Sequence, residues 1–336
     1  MPREWIIETY DGFEGLKLRN CVREQPGPTE LRLRIEAFAL NWGDDDLMRD
    51  RYSFSFSSLP ARVGIEAAGI VEQIGTDVGD VQVGDRYCTL PYFYDRRGAS
   101  AETLIIDQAF VTRAPDNLSA VEASSVWMQF MTAYFPIVEL AKAAPGVNIL
   151  IPAGTSTAGN AAIQIAKLHG AMVVSTTRSE GNRAVLLEAG ADHVFVDQGD
   201  DIESFLRNVT DGVGIHTSFD PVGGDFMNRY ANAMAKGGKL ILYGGLAGTY
   251  SDPPFLPMIQ NSLWFHAYSL FNYVEDREAC ERGKKYVYDA LSNGRLKPSI
   301  DKVFPMEGYI DAWNYLKGAR STYGKVLVQT DCDDAA

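Results

Sequence analysis

Two hydrophobic periods divide the chain. Through the first 120 residues, apolar positions recur every second residue in short runs between glycine and proline turns. Glu30-Leu31-Arg32-Leu33-Arg34-Ile35 alternates polar and apolar, as a half-buried strand does. Gly64 to Val71 places glycines inside a strand-like run, which marks a bend or a close approach. Val83-Gly84-Asp85-Arg86 turns into a further strand, Tyr87 to Leu90, so this part reads as a β-rich domain. From Ser119 to Phe265 helical and strand periods alternate: Glu180–Ala189, His193–Val196, Asp201–Asn208, Ile215–Phe219, Gly224–Ala235 and Lys239–Tyr243. Such alternation predicts a parallel sheet covered on both faces, an α/β doubly wound domain. Helices over Asp276–Leu291 and Glu307–Leu316 and a strand over Lys325–Gln329 follow. The expected division is a β-rich domain over 1–120 completed by 271–330, a doubly wound domain over 121–270, and a tail over 331–336.

The densest pattern runs from Asn148 to Arg178. Ile149-Leu150-Ile151 reads as a buried strand, and Ala153-Gly154-Thr155-Ser156-Thr157-Ala158-Gly159 as a turn of small residues. Ala162, Ile165, Ala166 and His169 then fall on one helix face, closed by Gly170, before the strand Met172-Val173-Val174. This is a βαβ unit, and a helix that begins at such a turn offers free N–H groups to a pyrophosphate. The glycine fingerprint of dinucleotide sites is incomplete here, since Ser156, Thr157 and Ala158 separate the two glycines. A ligand-free turn between a strand and a helix is the competing reading.

Composition narrows the partners. A length of 336 residues allows about two domains. With 31 Lys+Arg against 44 Asp+Glu, the net charge of −13 opposes nucleic acid or an anionic membrane as a general partner. MPREWIIETYDG lacks the apolar core of a signal peptide, and no apolar run approaches a membrane span. Cys21, Cys88, Cys280 and Cys332 stand alone, which fits a reduced, cytoplasmic protein and forms no metal-ligand pair.

Seven short motifs stand in order along the chain: Ala39-Leu40-Asn41, Gly64-Ile65-Glu66-Ala67-Ala68-Gly69, Val83-Gly84-Asp85-Arg86, Thr132-Ala133-Tyr134, Gly190-Ala191-Asp192, Asp220-Pro221-Val222-Gly223-Gly224 and Gly324-Lys325. In that order they resemble the medium-chain dehydrogenase/reductase superfamily across essentially the whole chain. The nearest pattern is that of its zinc-free, quinone oxidoreductase-like members, of zeta-crystallin and enoyl reductase type. The resemblance implies a GroES-like catalytic domain joined to a Rossmann domain. Zinc-bearing members resemble the same template but carry Cys where Asn41 stands and His where Ile65 stands, with a further ligand near Gln129. Of that set only Glu66 remains a strong ligand, so no metal is expected. Without a Lewis acid, a quinone or an activated C=C bond is an easier hydride acceptor than a simple carbonyl, because the charge spreads over an enolate or quinol.

Further implications of the resemblance concern the sites. The cofactor is expected to be NADPH, since Thr177-Arg178 replaces the acid that would bind a ribose 2′-OH, and Arg178 and Arg183 suit a 2′-phosphate. Solvated helix-start arginines are the alternative. Thr132, Gly154, Thr155, Ser156, Thr157, Ala158 and Gly159 are expected near the phosphates, and Tyr243-Gly244-Gly245 beside the nicotinamide. Lys325 either reaches the cofactor or is a surface lysine before a strand. Asn41 is a candidate to bind the substrate oxygen or nicotinamide ribose, with a turn-capping Asn as its rival. Tyr52 is the tyrosine expected beside the substrate, with Tyr92 and Tyr94 as competitors for a proton-donor role. The run Asp44-Asp45-Asp46 reads as charges favouring a helix start. A small hydrophobic substrate is expected against Trp42, Tyr92, Tyr94, Trp127 and Phe271, with Phe93 also near the cleft, and a homodimer through the strand near Leu263–Ser269. A zinc-free alcohol dehydrogenase or ketone reductase, and a non-catalytic NADPH-binding protein, remain the other function classes.

Overall fold

The computed structural model describes every residue except 53, 93, 249–251, 321 and 331–336. Phe93, expected near the substrate, and the expected tail therefore lie outside the described residues. The chain forms two compact units, one of Met1–Met128 with the residues from Lys297 onward, the other of Gln129–Leu296. Residues 271–296, expected with the β-rich part, thus group with the second unit. The helix Arg277–Ser292 is the reason: Gly283 sits against the Phe135 and Met131 side chains of that unit, where a Cβ would lie 3.0 Å from the Phe135 ring.

The first unit is built on a seven-stranded sheet. Its order is Ile300–Pro305, Lys325–Gln329, Glu30–Ala39, Glu66–Ile74, Arg86–Thr89 and Val111–Arg113, with Thr103–Asp107 also paired to Glu30–Ala39. The alternation read in residues 30–35 is real, since Leu31, Leu33 and Ile35 are buried and their neighbours half-exposed. Beyond Glu36 the strand is buried on both faces, at Ala37, Phe38 and Ala39. It runs there between Glu66–Ile74 and Lys325–Gln329. The strand expected from Gly64 begins two residues later at Glu66, because Gly64 takes φ +101° and packs against the Ala99 and Ser100 backbone.

The second unit is a six-stranded parallel sheet. Its order is His193–Val196, Met172–Thr177, Asn148–Ile151, Ile215–Asp220, Met234–Leu242 and Trp264–Ala267. Chain order therefore reverses between Asn148–Ile151 and Ile215–Asp220, the switch point beside which doubly wound sheets bind ligands. The first strand is buried along its whole length, as a central parallel strand must be. The helix Thr157–Leu168 buries Ala161, Ala162, Ile163, Ile165 and Ala166 and stops before Gly170, whose φ of +76° suits a chain leaving a helix. The helix expected over 224–235 is shorter, at Phe226–Tyr230. Its continuation pairs Met234 with Ile215 and becomes strand.

Candidate functional site

Strand register assembles the polar centre of the first unit. Leu327 stands opposite Ala39, and Ala39 also stands opposite Glu66 on its other side. Two residues further along each chain, antiparallel pairing brings Lys325 against Asn41, where the Leu40 N–H also reaches the Val326 carbonyl. Gly324 lets this entry lie close to its neighbour, since a Cβ there would meet the Ser299 carbonyl oxygen at 2.7 Å. Lys325 Nζ donates to Glu66 Oε2 at 2.7 Å and also to Asn41 Oδ1. Asn41 Nδ2 donates to the same Glu66 oxygen at 3.2 Å, and the Met128 N–H donates to Glu66 Oε1 at 2.9 Å. Lys325 and Glu66 are 2% and 1% exposed, so this is a buried ion pair whose carboxylate is fully hydrogen-bonded. Lys325 is not a surface lysine, and Glu66, noted only as a leftover metal ligand, is its partner.

Asn41 also caps the helix Trp42–Met48, with extended φ and ψ of −127° and 144°. The third helical residue, Asp44, closes the cap by accepting from the Asn41 N–H at 3.1 Å. Asp44 is 3% exposed, and burial raises its pKa to about 7 against the opposing pull of Asn41 and the Lys325 ammonium. Asp45 differs: it accepts from Arg49 and Lys317. The acidic run therefore does begin a helix, but one of its carboxyls joins the buried centre.

Tyr52 packs against the start of that helix. A Cβ at Gly43 would lie 2.9 Å from the Tyr52 ring, so this glycine gives the ring its space. The ring meets Phe54 edge-on at 5.5 Å. Tyr92 and Tyr94 are buried and tilted on one another at 5.4 Å, and the Tyr92 hydroxyl lacks a hydrogen-bond partner among the described residues. Burial pushes both phenols well up, so each holds its proton more tightly than a free tyrosine. A cavity of about 220 Å³ lies against these two rings, lined also by Arg96, Arg97 and Phe110, while Asn41, Glu66 and Lys325 take no part in it. Trp127 and Phe271 are buried, and among the described residues only Trp42 of the aromatics expected against the substrate is well exposed, at 48%.

In the second unit the turn after Asn148–Ile151 shows why its residues are small. A Cβ on Gly154 would fall 2.0 Å from Ser175 Oγ, and one on Gly159 would fall 2.8 Å from the Ala153 carbonyl oxygen. Ala153 itself takes φ +49°. Ser156 caps the helix by accepting from the Gly159 N–H at 3.1 Å, leaving Thr155, Ser156, Thr157 and Ala158 half-exposed. This cradle fits a dinucleotide phosphate. Thr177 ends the next strand and accepts from Asn182 Nδ2 at 2.8 Å. Arg178 is exposed and has no side-chain partner among the described residues, whereas Arg183 is held by Glu180 and by the Val194 carbonyl at 2.8 Å. Of the two arginines, then, Arg178 is the one available to a ligand. Thr132 is half-buried in the helix Trp127–Tyr134. Tyr243 stacks on Phe219 at 3.9 Å, and a Cβ on Gly244 would meet the Pro221 carbonyl oxygen at 2.9 Å. Burial raises the pKa of the Tyr243 hydroxyl, against the opposing pull of Ser156.

For a catalytic zinc the donors of the first unit are unsuitable: an amide held by an ammonium, the hydrocarbon of Ile65, and a carboxylate already paired with Lys325. Among the described residues no group of three His, Cys, Asp or Glu side chains could hold a metal ion. No helix among them is long and apolar enough to cross a membrane.

Residues 27–116 match the family described as the alcohol dehydrogenase GroES-like domain, and residues 158–293 that described as zinc-binding dehydrogenase. A 2-haloacrylate reductase of a Burkholderia species is 27% identical over 330 residues, covering 96% of this chain and 97% of that one. The crystal structure of a quinone oxidoreductase from Pseudomonas syringae pv. tomato superposes with a TM-score of 0.88 at 25% identity, covering 98% of this chain and all of that one. The Escherichia coli quinone oxidoreductase, solved in complex with NADPH, shares the fold with a TM-score of 0.89 at 23% identity, covering 97% of this chain and 99% of that one.

Proposed function

Because the chain belongs to the medium-chain dehydrogenase/reductase superfamily, as a quinone oxidoreductase-like member, we propose that it reduces a quinone or an activated C=C bond with NADPH and without zinc. The observation that carries this reading is the Lys325–Glu66–Asn41 centre, in which Asn41, standing where the resemblance implies a Cys in zinc-bearing members, and the Glu66 carboxylate are both engaged by the Lys325 ammonium. A conjugated acceptor suits such a site, because hydrogen bonds alone must meet the charge that develops on oxygen. Bound at the Ala153–Gly159 cradle, NADPH would supply the hydride. This chain's own residues do the rest: backbone N–H groups of the cradle hold the phosphates, Arg178 meets the 2′-phosphate, and Asn41 and Tyr52 flank the reacting oxygen. Anaerobic stopped-flow mixing of protein and NADPH with a panel of quinones, enones and 2-haloacrylate is the test. Loss of NADPH absorbance only with conjugated acceptors supports the reading, and no turnover with any of them ends it.

The working form is proposed to be a homodimer. Trp264–Ala267 is the edge strand of its sheet, and Phe255, Leu256, Ile259 and Trp264 are 65%, 65%, 78% and 70% exposed. An open strand edge beside so much apolar surface favours burial against a second copy. Sedimentation velocity should give twice the monomer mass, and Ile259→Glu should halve it.

A further inference from the structure

The strand Ile215–Asp220 pairs with Asn148–Ile151 on one side and Met234–Leu242 on the other, so it ends at the switch point beside the cradle. Its last residue, Asp220, is fully buried and begins the motif Asp220-Pro221-Val222-Gly223-Gly224. A buried carboxylate requires compensation, and hydrogen-bond donors supply it here. Asp220 Oδ1 accepts from the Val222 N–H at 2.6 Å and the Gly223 N–H at 3.3 Å, and Oδ2 accepts from the Tyr230 hydroxyl at 2.7 Å. Tyr230 is buried in its turn, and Arg229 beside it ties the same short helix to Asp197 at 2.8 and 2.9 Å. Gly223 and Gly224 follow with φ of +65° and +58°, a left-handed pair suited to glycine. The turn so fixed holds a second segment. The Asp220, Pro221 and Val222 carbonyls accept from the Tyr243, Leu246 and Ala247 N–H groups, each at 2.9 Å. Asp makes such turns routinely at a surface. A buried carboxylate tied to a second element leaves this one a single arrangement.

We propose that Asp220 is a positioning residue for the nicotinamide end of the cofactor, acting through the backbone of residues 243–247. The inference rests on the reductase reading above and goes beyond it, since that reading gives Asp220 no part. The reduced nicotinamide ring carries no charge for a cradle to hold, so the surface it lies against sets its orientation. That surface is the segment 243–247, and the turn after Asp220 keeps it in register. Removing the carboxylate leaves two buried N–H groups and a buried hydroxyl without their acceptor, and the turn gives way. The adenosine end of the cofactor is held elsewhere, at Arg178, and does not feel the change.

The test compares NADPH, titrated by its fluorescence, with adenosine 2′,5′-bisphosphate, the adenosine end without the nicotinamide, titrated by calorimetry. Asp220→Ala should raise the Kd for NADPH roughly tenfold and leave that for the bisphosphate within about twofold. Asp220→Asn should stay near wild type, because Oδ1 still accepts from the two turn N–H groups and Nδ2 can donate to the Tyr230 oxygen. Tyr230→Phe keeps the buried ring and removes one donor, so it folds even where Asp220→Ala does not, and it should weaken NADPH about threefold. Parallel weakening of both ligands, NADPH affinity unchanged in Tyr230→Phe, or Asp220→Asn behaving like Asp220→Ala overturns the proposal. Turnover gives a second arm, read from the mass of the NADP+ formed when deuterium stands at one or the other C4 position of NADPH. Wild type should keep one label and lose the other, and Asp220→Ala should give a mixture from each. Wild-type strictness in Asp220→Ala overturns the proposal while the reductase reading stands. If wild type reduces no acceptor, the reductase reading fails, and the binding comparison still decides the inference.

Discussion

The two units prepare their sites by opposite means. In the first, a buried ammonium, a buried carboxylate and an amide are brought together by strand pairing, and side-chain charge does the positioning. In the second, the turn Ala153–Gly159 works by omission: Gly154 and Gly159 leave room, and backbone N–H groups are the proposed donors. The charged centre is fixed by partners and therefore fails when one partner is removed. The cradle is fixed by space and fails when an atom is added.

The largest expected effect tests the first half of that contrast. Glu66→Ala strands the Lys325 ammonium in a buried site and should cost roughly 3–5 kcal/mol in urea unfolding, whereas replacing both with apolar residues, Glu66→Leu with Lys325→Met, should recover most of it. A single-variant cost below about 1 kcal/mol, the range of exposed pairs, would show that the pair is not the organising contact. Asp44 gives the next effect. Burial raises its pKa to about 7, above an unfolded value of about 3.9, so the folded chain holds a proton that the unfolded chain releases between those values. Its contribution is present in full below about pH 4 and is lost as pH rises through about 7, at most about 4 kcal/mol. Asp44→Asn keeps an acceptor for the Asn41 N–H and removes the titration. Wild type should lose more stability than the variant between pH 5 and pH 8, and parallel losses would sink the assignment.

These two residues also mark what the sequence makes legible. Alternation along Glu30–Ile35 and the βαβ rhythm from Asn148 to Arg178 were readable, because period follows from which face meets a core. The motif order was enough to indicate the family. The charged centre was not readable, since Lys325 and Asn41 lie 284 positions apart and meet only through strand register. One signal pointed that way: a lone carboxylate, Glu66, among small apolar residues requires a buried cation, and Lys325 opens a strand buried through Val328. Likewise Arg178 and Arg183 look alike in sequence, and the structure separates them through the Glu180 carboxylate and the Val194 carbonyl, the latter brought near by the sheet.

The cradle is tested by adding a single carbon. Gly154→Ala places a Cβ 2.0 Å from Ser175 Oγ, and that hydroxyl cannot simply swing away, because it donates to the Ile151 carbonyl at 2.9 Å. Overpacking of this kind costs about 1–3 kcal/mol, and here it should appear both as a lower melting temperature and as weaker NADPH binding by fluorescence titration. Adding Ser175→Ala removes the clashing oxygen and should restore part of both. If the double variant is no better than the single, the clash is not what makes Gly154 necessary.

Arg178 provides the smallest effect and the sharpest division between binding by charge and binding by space. Its guanidinium is exposed at the end of the strand Met172–Thr177 with no carboxylate engaged among the described residues, so it can meet a phosphate without first giving up one of them. Reversing its charge with Arg178→Asp removes that attraction and adds repulsion against a 2′-phosphate, while an acid there can accept from a ribose 2′-OH. The Michaelis constant for NADPH should rise about 10–100-fold, or about 1.4–2.8 kcal/mol, and that for NADH should stay level or fall. Because the side chain is exposed, the melting temperature should not move, unlike that of Gly154→Ala. Raising ionic strength should narrow the difference between the two cofactors in wild type and leave NADH unaffected, since an exposed charge pair is screened by salt and a steric cradle is not. Equal loss for both cofactors would mean that Arg178 supports the turn itself, and the second unit would then position its ligand by shape alone.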